Sequence, residues 1–87
     1  MAYEVEVIAA GQKQMLSLPK ETQVEIARSI DRLRNTARPP RVKKLAESGL
    51  WRIRVGQYRV VYAMDDEARL VTIVRVARRQ EDTYKGL

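Results

Sequence analysis

Cysteine and histidine are both absent from this chain. Without thiols it can build neither a disulfide framework nor a Zn–thiolate site, and without imidazole it lacks the commonest remaining metal ligand. Neither a metal nor another cofactor is therefore expected. The same two absences exclude a Cys-His or Ser-His nucleophilic site and the paired-histidine acid/base arrangement of many ribonucleases. Any catalysis must use Arg, Lys, Tyr, Asp or Glu. Long apolar runs are missing as well, and the start Met-Ala-Tyr-Glu-Val-Glu is acidic, unlike a signal peptide, so a cytoplasmic protein with no membrane partner is expected. No internal repeat, linker or low-complexity segment breaks the sequence, which is read as a single domain over residues 1–87 with a modest core.

What is present is positive charge in one place. Residues 38–64 hold seven Lys/Arg against one carboxylate, whereas 1–37 and 65–87 each balance five against five, so the net charge of +6 sits in the middle segment. A solvated surface that keeps a small protein soluble is the plain reading of such charge. Its clustering favours a phosphate or nucleic-acid partner instead.

Within that segment, Leu50 to Tyr62 reads Leu-Trp-Arg-Ile-Arg-Val-Gly-Gln-Tyr-Arg-Val-Val-Tyr. Two alternating runs flank Gly56-Gln57, the chemistry of a type II′ hairpin turn. Setting Val55 against Tyr58 opposes Arg54 to Arg59, Ile53 to Val60, Arg52 to Val61 and Trp51 to Tyr62. Side chains alternate along a strand, so Trp51, Ile53, Val55, Tyr58, Val60 and Tyr62 share one face and Arg52, Arg54 and Arg59 the other. Like charges directly opposite each other destabilise a sheet. A hairpin that sets Arg54 against Arg59 is thus expected to hold an anion, phosphate being the natural one. Trp51 falls on the apolar side and is expected in the core, together with Tyr58 and Tyr62.

Elsewhere the chain supplies the rest of an α+β domain. Tyr3 to Ala9 alternates as a half-buried strand. Gly11 to Leu18 reads as a short helix weakened by its glycine, and Pro19 favours a fresh start, with Glu21 in the first turn of a longer helix. Val24, Ile26, Ala27, Ile30, Leu33 and Ala37 form its core stripe, with Arg28, Asp31, Arg32 and Arg34 outward. The two prolines of Arg38-Pro39-Pro40-Arg41 end that helix. Val42 to Leu45 is a basic link whose Lys43 and Lys44 suit backbone contact with RNA better than chemistry. After the hairpin, Asp65 to Ala68 turns the chain into a last strand, Arg69 to Val76. A one-residue slip there exchanges its faces, leaving both faces open for Arg75. No periodicity marks Ala77 to Leu87. The expected architecture is an N-terminal strand, two helices and an antiparallel three-strand meander in one sheet, with the helices on one face and the arginine face open.

The hairpin segment, the preceding Pro-Pro-Arg-Val-Lys-Lys-Leu, the acidic turn, Val-Arg-Val-Ala-Arg-Arg and the upstream Leu-Pro-Lys-Glu together resemble the RelE/ParE toxin superfamily over nearly the whole chain. The resemblance implies a RelE-like fold and a bacterial toxin of a toxin–antitoxin pair. For RelE-type members it implies an endoribonuclease that enters the ribosomal A site and cleaves mRNA there without metal. The partners implied are a cognate antitoxin, the ribosome with its RNA, and mRNA. Carried over by position, the basic active-site residues fall on Arg52, Arg54, Arg59 and Arg79, and the C-terminal tyrosine on Tyr84. Arg78, Lys43 and Lys44 join them as RNA-binding candidates.

Cleavage by the neighbouring 2′-hydroxyl needs an aligned phosphate, compensation of transition-state charge and two proton movements. Arg59 and Arg79 are suited to grip the scissile phosphate and Arg52 and Arg54 its neighbours, because a guanidinium offers paired donors matched to phosphate oxygens. Tyr84 suits base stacking or a proton shift, although a phenol of pKa about 10 is a poor base at neutral pH; packing of a tail tyrosine against the sheet explains it equally well. Two departures stand out. Many relatives carry lysine at one or both of the positions of Arg52 and Arg54, and many read Gly-His-Arg where this chain has Ala77-Arg78-Arg79. Arginine does not readily give up a proton, so no general base is assigned, Glu47 being the only carboxylate of the basic segment. Two other functions fit the scaffold: a ParE-like inhibitor of DNA gyrase, and a non-catalytic RNA-binding module.

Overall fold

A computed structural model describes residues 2–39, 42–45 and 48–78. In chain order the elements are β1 (Glu4–Val7), α1 (Ala9–Leu16), α2 (Lys20–Arg32), β2 (Lys43–Lys44), β3 (Trp51–Val55), β4 (Tyr58–Asp65) and β5 (Leu70–Arg78). The α+β expectation holds, with one strand more than the sequence suggested. The five strands form one sheet in the order β1-β5-β4-β3-β2, antiparallel except for the parallel pair β1 and β5.

α1 begins two residues earlier than expected and contains Gly11. That glycine is buried, and a Cβ placed on it would stand 3.1 Å from Val7 Cγ1 and 3.5 Å from the Ile73 carbonyl oxygen. Its lost helix propensity is exchanged for close approach of the helix to β1 and β5.

In α2 the buried residues are Ile26 and Ile30, and the stripe continues past the helix end through Leu33 and Ala37. Val24 (44% exposed) and Ala27 face out, contrary to the broader stripe read from spacing. A helix lying on a sheet buries a narrow set of rows, and those rows are filled by the isoleucines. They pack with Ile53, Val55, Val60, Tyr62, Val71, Ile73 and Val76 as one core. The Tyr62 hydroxyl donates to the Ala37 carbonyl at 2.8 Å and so pins the chain leaving α2 to the middle of the sheet. Burial pushes that phenol well above its ordinary pKa, with Arg38 opposing the shift.

Lys43 and Lys44 are not on an irregular link. They form a short edge strand, Lys43 opposite Arg52 and Lys44 opposite Trp51. A two-residue strand carries too little pattern to be visible in sequence, and two lysines on an edge discourage further strand pairing.

Candidate nucleic-acid interface

The β3–β4 register agrees with the one derived from the turn, pair by pair from Val55↔Tyr58 to Trp51↔Tyr62. Gly56 has φ 59° while Gln57 keeps a negative φ, the sign pattern of a type II′ turn. Arg52, Arg54 and Arg59 therefore lie together on the sheet face opposite the helices. Arg54 is exposed; Arg52 and Arg59 are half-buried, each with its Nε fully shielded, and Arg52 Nε has no hydrogen-bond partner among the described residues.

β5 decides the rest of the face. A bulge shifts its register against β4, so that Val61 faces Arg75 but the next residue, Tyr62, faces Ile73. The extra residue, Val74, reverses the alternation. Ile73 and Val71 point into the core on one side of the bulge, and Val76 does so on the other. Arg75 and Ala77 consequently join the arginine face, beside Val61 and Arg59.

The cations then fall into two rows across the sheet. One runs Lys43, Arg52, Val61, Arg75, and the other Arg54, Arg59, Ala77. The rows are about 7 Å apart along the strands, and neighbouring strands lie about 4.8 Å apart. Arg54, Arg59 and Arg75 also make interactions within the folded chain. At the far edge the same face carries Glu4 and Glu6, because Val5 and Val7 of β1 turn toward the core. A polyanion is drawn to the β2–β5 side and repelled at β1. The face is also less open than its polar residues suggested, since Val61 is fully buried although it lies outside the core cluster.

Structure separates residues that sequence had grouped. Lys44 lies on the opposite side from Lys43, with its Nζ 5.6 Å from the centroid of the Trp51 ring, and Arg38 stands over the same ring at 5.1 Å. Trp51 itself is half-buried against the core, on the apolar face as expected, and Tyr58 packs there too. Arg78 pairs with Tyr58 and so points away from the arginine rows. Arg79, Tyr84 and Glu47 lie outside the described residues.

One polar cluster had no clear signal in the sequence. Asp66, in the β4–β5 turn, accepts from Arg38 Nη2 at 2.8 Å and from the Tyr3 hydroxyl at 2.6 Å. The Arg38 hydrogen bond and then that of Tyr3 hold its carboxyl below the usual aspartate range. Partners 28 and 63 residues away in the chain cannot be inferred from local spacing. Among the described residues no group of acidic side chains could hold a metal ion, and no helix is long and apolar enough to cross a membrane.

The profile of the ParE toxin family, described as the ParE toxin of the type II toxin–antitoxin system parDE, matches residues 10–83. No curated protein matches the chain in sequence. Among solved structures, the chain is similar to one in the archaeal RelE–RelB complex of Pyrococcus horikoshii OT3, with TM-score 0.82 and 29% identity over 93% of this chain and 99% of that one. A chain of the RelBE2 toxin–antitoxin complex from Mycobacterium tuberculosis also gives TM-score 0.82, with 26% identity over 91% of this chain and 100% of that one. The isolated RelE toxin of E. coli shares the fold at TM-score 0.77, with 19% identity over 88% and 84% of the two chains. With its sheet, its two helices and a family match spanning most of its length, the chain belongs to the RelE/ParE superfamily of type II toxin–antitoxin toxins.

Proposed function

We propose that this toxin is a ribosome-dependent mRNA endonuclease that cleaves in the A site by attack of a 2′-hydroxyl on the adjacent phosphorus, and so inhibits translation. The observation that carries this reading is the register that brings Arg52, Arg54 and Arg59 onto one sheet face. In such a reaction the 2′-oxygen loses a proton, a cyclic phosphate forms and the 5′-oxygen leaves with a proton. The pentavalent transition state carries extra negative charge on its non-bridging oxygens, and fixed guanidinium groups stabilise it without reorganisation. Arg59 and Arg79 grip the scissile phosphate; Arg52 and Arg54 hold its neighbours. Tyr84 stacks on a base or passes a proton. Lys43 extends the contact to the RNA backbone, and Lys44 and Arg78, on the other side of the sheet, are left for ribosomal RNA. No metal or other cofactor enters the scheme, and the site of action is the cytoplasm.

A cognate antitoxin belongs to the same reading, because the similar archaeal and mycobacterial structures are toxin–antitoxin complexes. A small acidic or amphipathic protein that lays a helix beside α1 and α2 and shields the basic residues fits this surface. Its gene is expected next to this one.

The matched profile is described as ParE, which favours a second reading, inhibition of DNA gyrase. One panel separates the two: mRNA cleavage on programmed ribosomes, naked mRNA, and gyrase supercoiling, with Arg59→Ala and Arg79→Ala beside the wild type. Ribosome-dependent cleavage that falls about 10²–10³-fold in either variant is expected, the loss typical of removing one preorganised charge stabiliser. Intact mRNA with supercoiling inhibited would give the protein to the gyrase class, and RNA binding with neither activity would make it a binding module.

A further inference from the structure

The bulge in β5 adds a cation to the site that sequence spacing could not place. We infer that Arg75 is a phosphate-positioning residue, acting with Arg52 from the opposite side of Val61 on the RNA backbone next to the scissile phosphate; this rests on the RNA-cleaving reading above.

Register places Arg52, Val61 and Arg75 in one line across β3, β4 and β5. Side chains directly opposite on neighbouring strands have Cβ atoms about 5 Å apart, so both arginines leave the sheet beside Val61. Val61 is fully buried yet lies outside the core formed with the helices, while Arg52 and Arg75 are each half-buried. Arginine stems cover apolar surface while their charged heads stay in water. Val61 is thus an apolar floor flanked by two half-buried arginines, both on the same side of the sheet, and Arg75 also makes an interaction within the folded chain; an arginine restrained in this way has less freedom to lose when an anion arrives. The two Cα atoms are separated by two strand spacings, about 10 Å. This row lies beside Arg59, so an RNA strand crossing the face meets Arg59 with its scissile phosphate and the Arg52–Arg75 row with the next. Arg75 touches backbone, not the reacting atoms, and its loss is felt in binding.

The test compares wild type, Arg75→Met and Arg75→Lys. Methionine keeps an unbranched stem over Val61 and removes the charge; lysine keeps the charge and removes the fork. The readouts are thermal midpoint, single-turnover cleavage on programmed ribosomes at varied toxin concentration, and the salt dependence of binding to a single-stranded RNA oligonucleotide. Arg75→Met is expected to stay folded, to keep its rate at saturation, to need about tenfold more toxin for half-saturation, and to lower the slope of log K against log salt by about 0.7. Arg75→Lys is expected to restore the slope, because the slope counts charges, but not the whole affinity. A slope and half-saturation unchanged in Arg75→Met overturn the inference, whatever happens to the midpoint, since only the covering of Val61 would remain. A wild type that binds RNA but never cleaves, with the slope still reduced in Arg75→Met, sinks the nuclease reading and the place beside a scissile phosphate with it, and leaves Arg75 only as an RNA-backbone contact. A wild type that binds no RNA ends both.

Discussion

Across β3, β4 and β5 the two faces of the sheet are built from the same strands and obey opposite rules. On the helix side, Ile53, Val55, Val60, Tyr62, Val71, Ile73 and Val76 meet Ile26, Ile30, Leu33 and Ala37 in one cluster, and its one buried hydroxyl, that of Tyr62, is satisfied by a backbone carbonyl. On the other side, Arg54 stands opposite Arg59 and Arg75 lies one row away. The first arrangement lowers the free energy of the folded chain. In the second, opposed like charges weaken strand pairing, and the interactions that Arg54, Arg59 and Arg75 make within the folded chain offset part of that cost. A fold that tolerates such a face is expected to recover the cost when an anion binds. Stability and function are then separable by face, and each face can be challenged by mutation.

The largest effect belongs to the helix side. Ile26→Ala removes a side chain with 0% exposure and is expected to destabilise by about 2–5 kcal/mol in denaturant titration, with the remaining folded fraction keeping its affinity for RNA. Equal loss from Arg52→Ala would break the comparison, because the arginine face would then be part of the structural core.

A smaller effect tests the polar pin between layers. Tyr62→Phe leaves the Ala37 carbonyl without its 2.8 Å donor and should cost about 1–3 kcal/mol. Raising the pH tests the same contact without a mutation. The folded-state pKa of Tyr62 lies above its unfolded value, so the stability it contributes is fully present below about pH 10 and is lost as the pH rises through the folded pKa. Wild type should lose stability in that alkaline window, and Tyr62→Phe should lose less.

The smallest effect has the opposite sign. Arg54→Thr removes one of two opposed arginines and supplies a residue suited to strands, so the thermal midpoint should rise slightly, by an amount equivalent to about 0.2–1 kcal/mol, while RNA binding weakens. A lowered midpoint would show that Arg54 supports the fold through its own contacts.

How much of this was legible beforehand varies with the range of the interactions. The hairpin register was readable in full because a Gly-X turn of fixed length sets every pair that follows it, and the observed pairing is the same from Trp51 to Tyr62. The placement of Arg52, Arg54 and Arg59 on one face came with it. The α2 stripe was readable in part: Ile26, Ile30, Leu33 and Ala37 are buried, but Val24 and Ala27 are not, since spacing gives a stripe and only the partner surface gives its width. Lys43 and Lys44 looked alike and adjacent, yet a two-residue strand turns them to opposite faces. The Arg38–Asp66–Tyr3 cluster joins three distant segments and had no local signature.

From the sequence alone follow the α+β class, the hairpin with its apolar and cationic sides, the confinement of net charge to one segment and the exclusion of thiol and imidazole chemistry. Composition and short-range alternation determine all of these, and both are properties of neighbours in the chain. Tertiary structure decided that β1 joins β5 in parallel, that β2 exists, and that the bulge at Val74 sends Arg75 outward while Val76 stays in the core. Such choices depend on which alternation lets both ends of β5 bury valine and isoleucine against a surface assembled from the rest of the chain. No window of the sequence contains that surface.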